Sequence, residues 1–416
     1  MNERRVVITG MGAVTPLGND LDTTWQALLE GRSGVASITR FDASSLPVRV
    51  ACEVKNFEPT VAIDAKELRR MDLYEQYAIV AAKQAIANAG LSITPELSED
   101  TAIVIGTAIG GLQTLLDQYE ILKQQGPRRI SPFCIPMVIN NGASGMLAIE
   151  IGARGPSNSP VSACATSNDA LGQAYMMVRR GDATVAIAGG ADATVTFIGV
   201  ASFDRLGALS HDNELPSQSP KPFDKNRDGV IIGEGAVVMT LESLEFARAR
   251  GANILAEIVG YGQTTDAFHV IAPAEGGAGA ARAIQRALNS AGIGPQDIDY
   301  INAHGTATPL NDVAEAQAIK TVFGEHAGRV AISGTKSMTG HMMGAAGAME
   351  AAICVRAIQT GLVPGTRNLV EVDPQCAGLD FMPNETRPLR INYAMNNSFG
   401  FGGHNSVLIL KRFESL

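Results

Sequence analysis

The sequence predicts a layered α/β protein built from two similarly folded halves, and three observations point there. Short β-branched runs alternate with alanine-rich helical stretches, the pattern of strands covered by helices. At 416 residues the chain exceeds the usual size of one domain. A strand–helix–strand pattern over residues 161–187 is echoed over 300–332, with second strands reading Val-Ala-Ile-Ala-Gly and Val-Ala-Ile-Ser-Gly. The echo places functional residues at matching strand-to-helix turns. Residues 248–253 are the best boundary, dividing the chain into 1–250 and 251–416.

The elements follow in order. Residues 6–9 read as a strand ended by Gly10, and 72–89 as a helix stopped by Gly90, which accepts a left-handed cap. Strands are expected at 102–105 and 161–163, a helix at 165–180 stopped by Gly181, and a strand at 185–187. Further strands fall at 237–241, 254–259, 300–303, 330–332 and 407–410, and further helices at 280–291, 313–322 and 344–360.

Composition excludes several classes. Hydrophobic residues at 45% and charged residues at 18% describe a packed globular chain rather than a disordered one. A net charge of −9 argues against a general nucleic-acid binder, which needs excess Lys and Arg. No apolar run is long enough to span a bilayer, since the best, 342–358, contains Glu350 and Arg356. No secretion-type apolar segment opens the sequence. Five cysteines, an odd number without CxxC spacing, suit free thiols in a reducing cytoplasm.

Four segments carry chemistry. In Ser162-Ala163-Cys164-Ala165-Thr166-Ser167 a cysteine stands where a helix begins, and taken alone a buried structural cysteine is the commoner reading. Unpaired N–H groups and the helix dipole there favour thiolate, so a lowered thiol pKa is expected, and the same N–H groups suit an oxyanion. The other four cysteines lack that setting. Asn302-Ala303-His304-Gly305-Thr306-Ala307-Thr308-Pro309 delivers a histidine and two hydroxyls into a turn, though taken alone a loop histidine with capping threonines is the preferred reading. Gly334-Thr335-Lys336-Ser337-Met338-Thr339-Gly340-His341 lacks the spacing of a phosphate loop. His341 precedes a helix, where a neutral imidazole is favoured, and Glu350 inside that helix suits pairing with Lys336. In Asn397 to Asn405 three glycines and two phenylalanines suit a backbone close to a ligand, or a turn before the last strand.

Together, in this order and spacing, these segments resemble the β-ketoacyl-acyl-carrier-protein synthases of the type I/II group. The resemblance runs nearly end to end. It is closest to type II through Phe41-Asp42, Ile109-Gly110-Gly111-Leu112, residues 222–229 (PFDKNRDG) and His304-Gly305-Thr306-Ala307-Thr308. It implies the thiolase fold, two similar halves in five α-β-α-β-α layers, as a cytoplasmic homodimer. The implied reaction is a decarboxylating Claisen condensation in fatty acid synthesis, with no cofactor or metal beyond the phosphopantetheine of the carrier protein.

By position, Cys164 matches the nucleophile, and His304 and His341 the two catalytic histidines. Lys336 and Glu350 match a buried lysine and its carboxylate. The N–H groups of Cys164 and Phe401 match the oxyanion hole, and Thr306 and Thr308 the residues bonding the phosphopantetheine arm. Ile109 and Phe203 match acyl-pocket residues, and Phe399 with Phe401 the gating loop. Lys66, Arg69, Arg70, Arg128, Arg129 and Arg205 match the patch that docks the acidic carrier protein, which would steer association on an acidic chain. Four positions depart from the family: Ser162 replaces the usual threonine, Val230 a phenylalanine lining the site, Asp169 a common histidine, and His404 the threonine of many members. A thiolase is disfavoured by the missing second catalytic cysteine, and an initiating synthase by His341. A non-catalytic chain-length partner is disfavoured by Cys164 itself. The same chemistry in a polyketide pathway remains a rival.

Overall fold

The computed structural model describes residues 3–414. Its first half runs β1 (Val6–Val14), α1 (Leu21–Leu29), the short pair β2 (Ala36–Ser37) and β3 (Val50–Ala51), α2 (Leu73–Asn88), α3 (Pro95–Ser98), β4 (Thr101–Gly106) and α4 (Leu112–Gln125). It continues through α5 (Cys134–Val138), α6 (Gly142–Ile151), β5 (Ser157–Asn158), α7 (Thr166–Arg180), β6 (Val185–Asp192), α8 (Phe197–Arg205), β7 (Gly235–Ser243) and α9 (Leu244–Ala249). The second half comprises β8 (Ala256–Thr265), α10 (Ala278–Ala291), β9 (Tyr300–Asn302), α11 (Pro309–Phe323), β10 (Ala331–Ser333) and α12 (Lys336–Thr339). After these come α13 (Ala346–Thr360), the pair β11 (Leu362–Val363) and β12 (Arg387–Pro388), then β13 (Tyr393–Gly400) and β14 (His404–Lys411).

Five strands of each half repeat one order. From the centre outward the first half reads β1-β7-β6-β4-β5 and the second β8-β14-β13-β9-β10. The pairing senses repeat too: the two inner pairs of each half are antiparallel and the two outer pairs parallel. A short antiparallel contact of Val6–Ile8 with β8 joins the half-sheets.

Strand residues alternate between two buried faces, as expected when helices cover both sides. On β6, Ala186 and Ala188 pack into a core shared with α7 and α13, while Val185 and Ile187 pack against α2. Helices α10 and α11 cover the outer face of the second half. The layers are thus α2/α6, sheet, α7/α13, sheet, α10/α11. At α2 the sequence signal is complete: Asp72 caps the helix, Glu75 closes a capping box, and Gly90 adopts φ +58° beyond its end.

Two expectations need correction. The duplication is real, but the echo read from sequence is out of step: in the repeated order β6 matches β13, whereas β10 matches β5. Residues 161–163 form no strand, because Ser162 accepts from Ala165 N (3.0 Å) and its own N–H donates to Thr166 Oγ1 (2.9 Å). Those bonds fold the chain forward onto α7 instead of sideways onto a neighbour.

Candidate active site

Three turns meet at one cavity of about 290 Å³. Each contains a non-glycine residue at positive φ: Ala163 (+52°) beside Cys164, Ala307 (+64°) in the His304 turn and Met343 (+46°) after His341. Such backbone persists only where surrounding bonds over-determine it, and it concentrates at functional sites. Cys164 lies in a 3-10 turn, residues 163–165, that leads into α7. The His304 turn is held by Glu315 on α11, which accepts from His304 N and Gly305 N, each at 2.8 Å, and from Asn397 Nδ2 at 3.1 Å. The His341 turn is pinned to residues 231–233: His341 N donates to Ile231 O and Gly233 N to His341 O, both at 2.8 Å.

The nucleophile-type sulfur and the ring nitrogens of His304 and His341 lie within 4.8 Å of one another. Hydrogen bonds fix the ring tautomers. His341 Nδ1 accepts from Met343 N (3.1 Å), and His304 Nδ1 faces Lys336 Nζ (3.2 Å). Each Nε2 therefore carries the proton. His341 Nε2 is buried with no partner among the described residues, a donor left free. Burial, aided by the Lys336 charge, holds both imidazoles well below the ordinary histidine range, so both are neutral. Zinc accepts a Cys/His/His donor set. Here the Lys336 ammonium beside His304 opposes a cation at that point.

Lys336 Nζ also donates to His304 O (2.6 Å) and to the Glu350 carboxylate. Burial raises the Glu350 carboxyl to about 7 against the pull of Lys336. Glu350 Oε2, Asn396 Oδ1 and Asn397 Oδ1 are buried without hydrogen-bond partners among the described residues, and water or a hard cation satisfies oxygens of that kind.

The expected depression of the Cys164 thiol is reversed. Burial pushes it up to about 11, although Lys336 and the N–H groups of Phe401 and Cys164 pull it down. The N–H groups act in the expected sense, and loss of solvent around the half-buried cysteine outweighs them. The resting group is a thiol facing neutral imidazoles.

Phe401 and Phe399 line the cavity with Thr306, Thr308, Phe203, Val230 and Met343. The two threonine hydroxyls bond each other at 2.9 Å. Ile109 does not line it. The 109–111 turn is held against Val138 O by Gly111 N (3.2 Å), which leaves Ile109 38% exposed. Of the departures, Val230 lines the cavity and His404 begins β14, half-buried. Asp169 is buried, accepting from Ser162 Oγ (2.6 Å), Tyr261 OH (2.7 Å) and Gln263 Nε2 (2.9 Å). All six expected docking cations are exposed. Arg70 stacks over Phe133 at 4.8 Å, bringing residues 66–70 beside the chain that follows Arg128 and Arg129. Arg205 ends α8 next to Leu206 and Gly207 at the cavity.

Sequence reading missed Glu315, Asp312 and Asp192. Asp312 and Glu315 stand three apart on α11, one helix face turned toward the His304 turn, and that spacing was visible. Asp192, which accepts from Thr107 Oγ1, Ala108 N and Gly344 N at 2.6–3.0 Å, had no local signal.

Family models match this arrangement: the β-ketoacyl synthase N-terminal domain over residues 3–247 and the C-terminal domain over 255–370. The chain belongs to the β-ketoacyl synthases. It is 48% identical over 412 residues to 3-oxoacyl-[acyl-carrier-protein] synthase 2 of Staphylococcus aureus strain COL, covering 99% of each chain. A Synechocystis protein of the same name is 49% identical over 414 residues, covering 100% of this chain and 99% of the relative. Among solved structures, a β-ketoacyl synthase from Burkholderia phymatum superposes with a TM-score of 0.93 at 37% identity, covering 99% of this chain and 100% of that one. The ishigamide ketosynthase/chain length factor also reaches 0.93, at 39% identity and the same coverage. The thiolase-type architecture follows from this kinship as well as from the repeated topology. No helix among the described residues is long and apolar enough to cross a membrane.

Proposed function

We propose that this β-ketoacyl synthase elongates acyl chains by two carbons, as a 3-oxoacyl-[acyl-carrier-protein] synthase. The observation that carries the reading is a thiol faced by two neutral imidazoles, each with its proton on Nε2. Hydrolysis needs one base and a water. Two fixed N–H donors suit a thioester oxygen on which enolate charge develops.

Cys164 attacks the carrier-bound acyl carbonyl, and the oxyanion is held by the N–H groups of Cys164 and Phe401. Collapse breaks the carrier C–S bond, and the carrier sulfur takes the proton. Malonyl thioester then enters with its carbonyl oxygen on His304 and His341. Its carboxylate leaves as carbon dioxide, and the released electron pair passes into the enolate. The α-carbon attacks the Cys164 thioester, and the Cys164 sulfur departs and is reprotonated. The electron pair comes from the broken carboxylate bond, so the step needs no redox cofactor. Burial, with the charge of Lys336 held by Glu350, keeps both imidazoles neutral. Thr306 and Thr308 bond the phosphopantetheine arm, and Phe399 and Phe401 gate the cavity.

The exposed cations Lys66, Arg69, Arg70, Arg128, Arg129 and Arg205 support docking of an acidic acyl carrier protein. Exposed Ile135, Ile139, Leu115, Tyr119 and Leu122, together with Ile109, support a second copy covering this apolar face. Ile109 then reaches the acyl pocket only in the dimer. Kinship to the ishigamide ketosynthase, and to a type II polyketide ketosynthase solved with its acyl-carrier protein (32% identity, TM-score 0.90), favours a specialised pathway as the second reading.

The test mixes the protein with acyl- and malonyl-loaded carrier protein and measures 3-oxoacyl product and carbon dioxide. Cys164→Ala is expected to abolish elongation. Elongation by that variant, or release of free acid without product, overturns the reading. A panel of acyl lengths separates fatty from specialised substrates.

A further inference from the structure

The wall beside His341 is built differently from the one the family resemblance implies. Val230 occupies the position of a phenylalanine that lines the site, and it lines the cavity here together with Cys164, His304, His341 and Met343. It is buried, at 4% exposure. Its backbone is clamped on one side, Val230 N to Ala208 O at 2.8 Å and Ser210 N to Val230 O at 3.0 Å. The next residue accepts from His341 N at 2.8 Å. The side chain at 230 therefore cannot drift away from the histidine turn to make room or to fill it. A valine there presents less side chain to the cavity than a phenylalanine would.

That volume has a definite chemical address. His341 Nε2–H is the free donor for the malonyl thioester oxygen, and Cys164 carries the electrophile. In the condensation proposed above the α-carbon of the extender passes between them, so a wall next to His341 is a wall next to that carbon. The lining around it is apolar: Val230, Met343, Phe203 and Leu206. An alkyl group on that carbon suits this apolar lining.

We propose that Val230 is a specificity-determining residue that lets the enzyme accept a malonyl thioester bearing a small alkyl group on its α-carbon. The proposal rests on the condensing reaction above. The atoms balance in the same way: the carboxylate of the 2-alkylmalonyl thioester leaves as carbon dioxide. The substituted α-carbon forms the new bond to the acyl carbonyl, the Cys164 C–S bond breaks, and the product is a 2-alkyl-3-oxoacyl thioester.

The experiment compares kcat/KM for 2-methylmalonyl- and malonyl-loaded carrier protein with one acyl donor, in the wild type, Val230→Phe and Val230→Ala. The wild type is expected to use both extenders within about tenfold of each other. Val230→Phe should lower the methylmalonyl-to-malonyl ratio by about 10- to 200-fold, the range one misfitted carbon commands in an apolar pocket. Val230→Ala should leave that ratio equal or raise it. Wild-type use of malonyl alone overturns the proposal, as does an unchanged ratio in Val230→Phe. If Val230→Phe does not fold, the wild-type ratio and that of Val230→Ala decide. Failure with both extenders in the wild type instead refutes the condensing reading itself.

Discussion

Adding one methyl group at Gly400 should disable the nucleophile without touching it. A Cβ built there would lie 2.5 Å from Ser162 O, 3.1 Å from Cys164 N and 3.2 Å from Ala165 N. Ordinary contact begins near 3.4 Å, so the Ser162 carbonyl and the Cys164 turn must retreat by about 0.9 Å. Backbone strain adds nothing, because Gly400 has φ −107° and ψ 157°, which alanine adopts freely. A misplacement of about 1 Å costs about 10²-fold in a positioned reaction. Gly400→Ala is therefore expected to lose about 10²-fold in kcat/KM for elongation, with an overpacking cost of about 1–3 kcal/mol in stability. Single-turnover acyl loading, followed by mass of the intact protein, separates the loading step from the condensation. A Gly400→Ala enzyme that loads and elongates within threefold of wild type would falsify the claim that contact between β13 and the nucleophile turn sets the site.

Three other outcomes follow from the charges. With the thiol pushed up to about 11, alkylation of Cys164 by iodoacetamide should still be climbing between pH 8 and pH 10, and a plateau below pH 8 would show a stable thiolate instead. Lys336→Met leaves Glu350 buried without its cation, so it should cost about 3–5 kcal/mol in stability, read as a lower urea midpoint; the further exchange Glu350→Leu should recover part of that loss. Reversal of Arg69 and Arg70 to glutamate should raise KM for carrier-bound substrates more at low than at high salt, measured by titrating ionic strength; a salt-independent KM removes these residues from the docking surface.

Much of the fold was legible because both sheets are covered on both faces, and β-branched runs such as 185–187 have few other uses. β13 was not legible. Its middle reads Asn396-Asn397-Ser398, a turn-like string, yet all three side chains are buried. Asn396 Nδ2 donates to Asn168 Oδ1 (2.9 Å) and Gly347 O (2.7 Å), so the polarity stitches the strand to α7 and α13. The segments carrying Cys164, His304, Lys336 and His341 were each visible as a turn before a helix. Their convergence came from the family resemblance and not from the turns themselves, because Ala163, Ala307 and Met343 reach positive φ without a glycine to announce it. The thiol pKa was misjudged for a related reason: sequence displays the helix start and hides the burial. Ile109 lies outside the cavity of one chain, and the proposed second copy is what would bring it there.

The close approach of α7 and α13 also divides the labour of the site. Gly347 lets the start of α13 meet Asn168 on α7, where an added Cβ would lie 2.8 Å from Asn168 Cβ, and Ala348 N donates to Ser167 Oγ at 2.8 Å. One helix start brings the sulfur and the other the histidine, each from its own copy of the repeated topology. Neither copy holds a working set. A chain cut between α9 and β8 would yield two inert fragments, and any activity regained on mixing them would count rejoined seams one by one.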